Sequence, residues 1–419
     1  MSPRLRTRLA TAVTATLATA IAVPILIVAA PANAATTWPG SLVTVTPTRV
    51  LDTRINVGAS TPPAQGTTVL RIGATSGIPL ANTSAVVLNL TATQPESAGY
   101  LTAFAPGTAR PITSNLNFVA GASAQNSVSN LVVAPIDSLG QTAIYNGSGG
   151  RVDLVGDLVG YYLKPTDQIV AGAFTPLTPT RLLDTRIHLG GSQLDGEAEM
   201  SLVVSGRGGV PSTHVSAVLL SVTVTAPEAD GYLTVFPGTS GVPDSSSLNF
   251  VAGATAQNSV ANTVVAQLGS NGQIDLFNGS LGRTHVVVDV LGWYGPASGA
   301  GNGLLTPMAP QRLLDTRTGA TPQKLPPGGT VTTTAKTPTT PGNASGAVLN
   351  VTVTNPTAAG YITVYAAGTS APPTSSVNFR AGQTVANLVK VPIDSNGQLT
   401  VRMSETASAD VVVDLYGTF

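Results

Sequence analysis

Three stretches of this 419-residue chain repeat one another in the same order, and this restricts the fold more than any other feature. Pro47-Thr-Arg-Val-Leu-Asp-Thr-Arg54 returns as Pro179-Thr-Arg-Leu-Leu-Asp-Thr-Arg186 and as Pro310-Gln-Arg-Leu-Leu-Asp-Thr-Arg317. Ala85-Val-Val-Leu-Asn, Ala217-Val-Leu-Leu-Ser and Ala347-Val-Leu-Asn-Val follow. Gly99-Tyr-Leu-Thr102, Gly231-Tyr-Leu-Thr234 and Gly360-Tyr-Ile-Thr363 come next, then Leu116-Asn-Phe118, Leu248-Asn-Phe250 and Val377-Asn-Phe379. The copies close on Gly156-Asp157-Leu-Val-Gly160, Val288-Asp289-Val-Leu-Gly292 and Val413-Asp414-Leu-Tyr-Gly417. The first arginines stand at 49, 181 and 312, so the steps are 132 and 131 residues. Solenoid and propeller-blade repeats recur at about 20–50 residues, whereas a unit of this length can bury a core of its own.

The spacing therefore predicts three domains in tandem, at 41–163, 173–295 and 304–419, joined like beads on a string. The linkers fall near 164–172 and 296–303, and the second, rich in Gly, Ser, Pro and Ala, is expected to be flexible. Within each copy the local signals are β. Val86-Val-Leu-Asn-Leu-Thr-Ala-Thr93 and Val218-Leu-Leu-Ser-Val-Thr-Val-Thr225 are runs of β-forming residues that stop before Pro95 and Pro227. Tyr232-Leu-Thr-Val-Phe236 alternates between two faces. Ser138-Leu-Gly-Gln141, Ser270-Asn-Gly-Gln273 and Ser395-Asn-Gly-Gln398 read as hairpin turns. Eight or nine short strands per copy predict an all-β chain of three antiparallel β-sandwich domains, jelly-roll or immunoglobulin-like.

Residues 1–34 read as a signal peptide. Arg4, Arg6 and Arg8 precede an apolar run from Leu9 to Ala30, and Ala32-Asn33-Ala34 offers a small-x-small cleavage site before Ala35. An uncleaved anchor is the competing reading, with Pro24 against it. The chain has no cysteine, which excludes a disulfide framework and a lipid-attachment thiol. It also ends on Asp414-Leu-Tyr-Gly-Thr-Phe419 with no hydrophobic sorting tail. Secretion or non-covalent retention at the cell envelope is the expectation. Charged residues are only 10% of the chain, against roughly 25% in ordinary soluble domains. Without the three signal-segment arginines, 17 basic and 20 acidic residues remain. Such a surface lacks the phosphate contacts of nucleic-acid binding and the polybasic clusters that hold anionic membranes.

The Arg-x-Leu-Asp-Thr-Arg element and the closing aspartate place four charges in every copy. They are Arg49, Asp52, Arg54 and Asp157; Arg181, Asp184, Arg186 and Asp289; and Arg312, Asp315, Arg317 and Asp414. If the segment is extended, Asp52 and Arg54 share one side and Arg49 the other. One arginine is then placed to hold an aspartate bidentately. The leading reading is a partly buried ion-pair network tying each copy's first strand to its last; the other is a carboxylate- or sugar-binding cleft. Tyr100, Tyr232 and Tyr361 are candidate stacking platforms for sugars, and Asn117, Asn249 and Asn378 candidate hydroxyl partners. Half-buried strand tyrosines and turn-capping asparagines are the plainer reading, which extends to Gln125, Asn126 and Asn130. Asp394-Ser-Asn-Gly397 resembles the start of a calcium loop but lacks the downstream bidentate acid, so a plain turn is expected and no metal site is assigned.

No enzyme signature is present. His188, His214 and His285 fall at unrelated places in the second copy, and no nucleophile elbow, zinc-protease helix or phosphate loop occurs. A glycosidase needs two facing carboxylates, yet Thr357 replaces Glu96 and Glu228 in the third copy. The quoted opening motif, the Gly-Tyr-[Leu/Ile]-Thr strand and the closing Asp-x-x-Gly-x-[Tyr/Phe] together resemble a repeat module of exported actinobacterial proteins, often appended there to wall-lytic or other secreted enzymes. The resemblance covers nearly all of 41–419, leaves no room for such an enzyme, and implies an extracellular accessory role without an established ligand. The expectation is a non-catalytic, cofactor-free protein that binds cell-wall glycan or extracellular polysaccharide weakly at three sites, gaining from avidity. A structural surface or matrix spacer is the alternative, and an unrecognised hydrolase a remoter one.

Overall fold

A computed structural model describes residues 40–72, 77–121, 127–164, 172–253, 259–296, 303–318, 322–338, 340, 342 and 344–419. The signal-peptide reading of 1–34, both linker interiors, Gln125 and Asn126 lie outside the described residues. Among those described there is no α-helix, and no helix is long and apolar enough to cross a membrane.

Each repeat supplies eight strands in two four-stranded antiparallel sheets. In the first repeat the strands are β1 (Leu42–Asp52), β2 (Thr67–Arg71), β3 (Thr83–Thr93), β4 (Gly99–Phe104), β5 (Leu116–Phe118), β6 (Val128–Pro135), β7 (Gln141–Asn146) and β8 (Asp153–Leu163). One sheet has the order β1-β8-β3-β6 and the other β2-β7-β4-β5. The second repeat continues with β9 (Ala173–Asp184), β10 (Glu199–Val203), β11 (Ala217–Thr225), β12 (Gly231–Pro237), β13 (Leu248–Phe250), β14 (Val260–Gln267), β15 (Gln273–Asn278) and β16 (His285–Gly295). The third has β17 (Thr306–Asp315), β18 (Thr330–Thr334), β19 (Gly346–Thr354), β20 (Gly360–Ala366), β21 (Val377–Phe379), β22 (Val385–Pro392), β23 (Gln398–Met403) and β24 (Asp410–Thr418). The same two strand orders recur in both. Gly140, Gly272 and Gly397 sit at φ of +71°, +73° and +78° in the turns before β7, β15 and β23, as the sequence predicts.

The expectation of three tandem β-sandwich domains on a string is corrected. Residues 40–419 belong to one compact unit built from six small four-stranded sheets. That is the sheet count and size of a six-bladed propeller, although the strand order skips along the chain instead of running consecutively. Apart from an apolar core in each repeat, a fourth buried cluster draws on all three, including Val87, Phe174, Leu219, Leu305, Val348 and Phe419. Three of the sheets (β1-β8-β3-β6 and its two counterparts) line this centre, and three lie outside them. Strand β3 shows why. All eleven of its residues are buried, with Val86, Leu88 and Leu90 in the repeat's own core and Ala85 and Val87 in the shared one. The outer strand β2 instead alternates buried and exposed residues. Beads with a hydrophobic inner flank cannot remain apart in water.

Two rings of hydrogen bonds close the centre. The edge strands β6, β14 and β22 meet there, and the third residue of each is a buried asparagine. Asn262 Oδ1 accepts from the Leu131 N–H at 3.3 Å, Asn387 Oδ1 from Thr263 at 3.2 Å, and Asn130 Oδ1 from Leu388 at 2.9 Å. Each Nδ2 donates within its own repeat, to the carbonyls of Asn115, Ser247 and Ser376. The turn-capping reading of Asn130 is corrected accordingly. In the second ring, Leu42 N–H donates to Gly172 O, Phe174 to Gly303 and Leu305 to Gly40, so the third repeat returns to the first.

One buried cation breaks the threefold pattern. Where the other repeats have Val133 and Val265, the third has Lys390. Its Nζ donates to Tyr162 Oη at 3.2 Å and Tyr294 Oη at 3.1 Å, and stands 4.5 Å from the Phe174 ring centre. Burial pulls the ammonium from 10.5 down to about 7 and pushes both phenols up. Between pH 7 and 10.5 the unfolded chain therefore holds a proton that the folded one lacks, so stability rises with pH across that window. Below pH 7 the full cost, about 5 kcal/mol, is present. Lys390→Met is expected to raise stability by several kcal/mol at pH 6 and to lose that advantage near pH 10, measured by denaturant unfolding at both values. Parallel pH profiles for the two proteins would contradict this.

Candidate ligand-binding clefts

The Arg-x-Leu-Asp-Thr-Arg segment is not uniformly extended. A register shift between Arg49 and Leu51 breaks the pairing of β1 with β8, and β9 and β17 repeat it between Arg181 and Leu183 and between Arg312 and Leu314. The bulge turns Arg49 and Asp52 to one side while Leu51 enters the core, fully buried. The strand stops at Asp52, whose Oδ1 accepts from the Arg54 N–H at 3.2 Å and opens one 3-10 turn, Thr53–Ile55. The turn folds Arg54 back onto Asp52.

The quartet is a contact network in every repeat. In the second, Arg181 reaches Asp289 through Nε at 2.9 Å and Nη2 at 3.2 Å, and Asp184 through Nη1 at 3.0 Å. Arg186 holds Asp184 bidentately at 2.8 and 2.6 Å. Arg49 and Arg54 bind Asp157 and Asp52 in the same way, as Arg312 and Arg317 bind Asp414 and Asp315. First and last strands are thereby joined. The middle threonines, given no role by the sequence, accept the N–H groups of Leu154, Val286 and Val411 at 2.9 Å each. Thr185 Oγ1 also meets His285, which stands where the other repeats have Asp153 and Asp410.

The paired aspartates titrate in opposite directions. Hydrogen bonds from Arg54 and Arg186 hold Asp52 and Asp184 below the usual range against the effect of burial. At Asp315 burial is the largest influence but is outweighed by Arg317. Burial raises Asp157 and Asp289, with the arginine pairs opposing it, and takes Asp414 to about 6.

The candidate ligand residues lie across a repeat boundary from these arginines. Between the first and second repeats, Arg49 and Arg54 face Tyr232, Asn249, Asp230 and Asp244 over a cleft of about 400 Å³. Between the second and third, Arg181 and Arg186 face Tyr361 and Asn378 over about 370 Å³. Threonines and serines complete both, among them Thr91, Ser127 and Ser246 in the first and Thr223, Ser259 and Ser375 in the second. The walls are locked together beneath: Asn89 Nδ2 donates to Ser246 O, and Asn249 Nδ2 to Ser129 Oγ at 2.6 Å. Ser221 and Asn378 make the corresponding, longer contacts to Ser375 O and Thr223 Oγ1. At the third boundary Asn350 donates to Ser114 O and Tyr416 Oη to Thr113 Oγ1. Tyr100 and Asn117 belong to that side, Asn117 donating to Ser114 Oγ at 3.2 Å and Tyr100 lying 6.2 Å from Tyr145.

Tyr100 and Tyr232 are positioned by glycine, whereas Ser404 stands at the equivalent place beside Tyr361. A Cβ at Gly279 would lie 2.2 Å from the Tyr232 ring, and one at Gly147 would lie 2.3 Å from that of Tyr100. The ring thus lies flat on bare backbone. Tyr232 and Tyr361 remain 36% and 45% exposed, an open apolar surface beside hydrogen-bonding groups. The remaining candidates are structural. Glu96 and Glu228 accept the N–H groups of Arg151 and Arg283, and the Asp394 carboxylate accepts two turn N–H groups. Among the described residues His188 and His214 contact nearby hydroxyls.

Asp184→Ala leaves Arg181 and Arg186 without their shared carboxylate. Both are partly exposed, so a loss of about 2–4 kcal/mol is expected. An unchanged thermal midpoint would contradict the structural role.

No protein family matches this sequence, and no curated protein does. Among solved structures, the chain is similar to a protein of triple jelly roll fold and turret assembly in an archaeal virus, with 11% identity, 91% of each chain covered and a TM-score of 0.17. It is similar to a protein of Sulfolobus turreted icosahedral virus at 11% identity, covering 90% of this chain and 92% of that one, TM-score 0.17. It is also similar to the cycloalternan-forming enzyme of Listeria monocytogenes, solved with a pentasaccharide substrate, at 12% identity, 84% and 30% coverage and TM-score 0.18. At such TM-scores these likenesses bear on neither the fold nor the function of this chain.

Proposed function

We propose that the protein is an exported, non-catalytic binding protein that engages cell-wall glycan or extracellular polysaccharide weakly at several clefts. The observation that carries this is the recurrence, at two repeat boundaries, of a half-exposed tyrosine beside arginine, asparagine and hydroxyl side chains. A sugar ring offers an apolar face for such a tyrosine and hydroxyls for such donors. The clefts belong to one rigid body, so several weak contacts along one polymer add through effective concentration.

A structural surface component is the second reading. The shared centre favours it, because it makes the three repeats a single rigid unit.

Pelleting the purified chain with isolated cell walls and with insoluble polysaccharides separates the two. The glycan reading expects a fraction to sediment at moderate salt, and Tyr232→Ala with Tyr361→Ala to weaken retention by about 2- to 10-fold per cleft. If no polymer pulls the protein down, the structural reading stands instead.

A further inference from the structure

The two clefts share their arginines but differ on the wall opposite. Arg186 uses Nε and one Nη2 hydrogen on Asp184. A guanidinium carries five N–H donors in a planar fork, so the edge formed by Nη1 and the second Nη2 hydrogen has no partner among the described residues. That side chain is 44% exposed and lines the cleft, whereas Asp184 and Asp289, which balance the two arginines, are each 2% exposed. The network is neutral in sum but turns its cations outward. Across from Arg186 stand Ala359 and Pro373, and every carboxylate of the cleft is already engaged by arginine. Arg54 presents the same edge in the other cleft, but there Asp230 and Asp244 occupy the corresponding places. Asp244 is exposed, and its charge already acts on Arg54.

We propose that the cleft between the second and third repeats takes the carboxylate of an acidic sugar on the free edge of Arg186, with Tyr361 against the sugar ring, while the cleft holding Asp230 and Asp244 takes uncharged sugar. The proposal rests on reading the clefts as glycan sites. A planar, doubly hydrogen-bonded carboxylate suits the guanidinium fork. The charge of Asp244, which acts on Arg54 through space, repels an incoming anion. The third boundary follows the second, since Arg317 is 42% exposed with the same bidentate hold on Asp315. Ile112, 77% exposed, occupies the Asp244 position there.

The test is titration of the full-length chain with a galacturonic acid oligomer and with its carboxyl-reduced, galactose counterpart at low salt. The acidic oligomer is expected to bind at least about 10-fold more tightly, the scale of one charge-assisted pair, with the advantage shrinking as salt is raised. Pro373→Asp combined with Ile112→Asp, both at exposed positions, should remove that advantage and leave binding of the neutral oligomer intact. Asp244→Asn should add acidic-oligomer binding. Equal affinity for the two oligomers, or an advantage that survives the double substitution, overturns the acidic preference alone. If neither oligomer binds, and no polysaccharide sediments the protein, the glycan reading falls with it.

Discussion

An edge strand that ends in the middle of a protein must find partners for its free N–H groups. Here three such strands converge, and none continues into another sheet. Each instead receives one asparagine amide from the neighbouring repeat, while the other end of that amide is fixed at home by a carbonyl. The geometry works only when all three repeats are present and only in one cyclic order. Around this polar ring packs the shared apolar cluster, and the ring from Leu42, Phe174 and Leu305 closes it. The remaining structure depends on that closure, because without it the inner faces of three sheets meet water.

The clefts are a consequence of the same arrangement. The ring sets the arginine-bearing strand of one repeat beside the tyrosine strand of the next, so each cleft takes one wall from each. No repeat contains a site by itself. The ion pairs that hold β1 to β8 serve this end too: burying the aspartates and leaving the arginines partly exposed turns a structural network into a cationic wall. Differences between repeats that look like drift, such as Asp244 against Pro373 and Ile112, then become differences between the walls of the boundaries.

Much of this was legible in the sequence and some of it was not. The β character, the positive-φ glycines and the partners within the charged quartet follow from residue types and spacing. Arg49 was misplaced, because a bulge between Arg49 and Leu51 that an extended reading does not contain turns it to the side of Asp52. The separateness of the repeats was misjudged although a signal existed: Val86-Val-Leu-Asn-Leu is apolar without alternation, the mark of a strand covered on both faces. A sheet with one face in solvent would show the alternation of β2. Alignment of the copies cannot reveal that Arg186 and Tyr361 line one cleft, since it places equivalent residues side by side and the cleft joins unlike ones. Asn130 carried no signal at all, because an asparagine spanning two repeats and one capping a turn look alike in one dimension.

The central claim is that the three repeats form one cooperative body held by the asparagine ring and the apolar centre. Scanning calorimetry of residues 40–419, followed in parallel by tyrosine fluorescence, tests it most directly. A shared core predicts one transition, with calorimetric and van't Hoff enthalpies in agreement and a single midpoint lowered as a whole by Asn262→Ala. Three resolved transitions, or an Asn262→Ala effect confined to the second repeat, would contradict it and return the molecule to beads on a string.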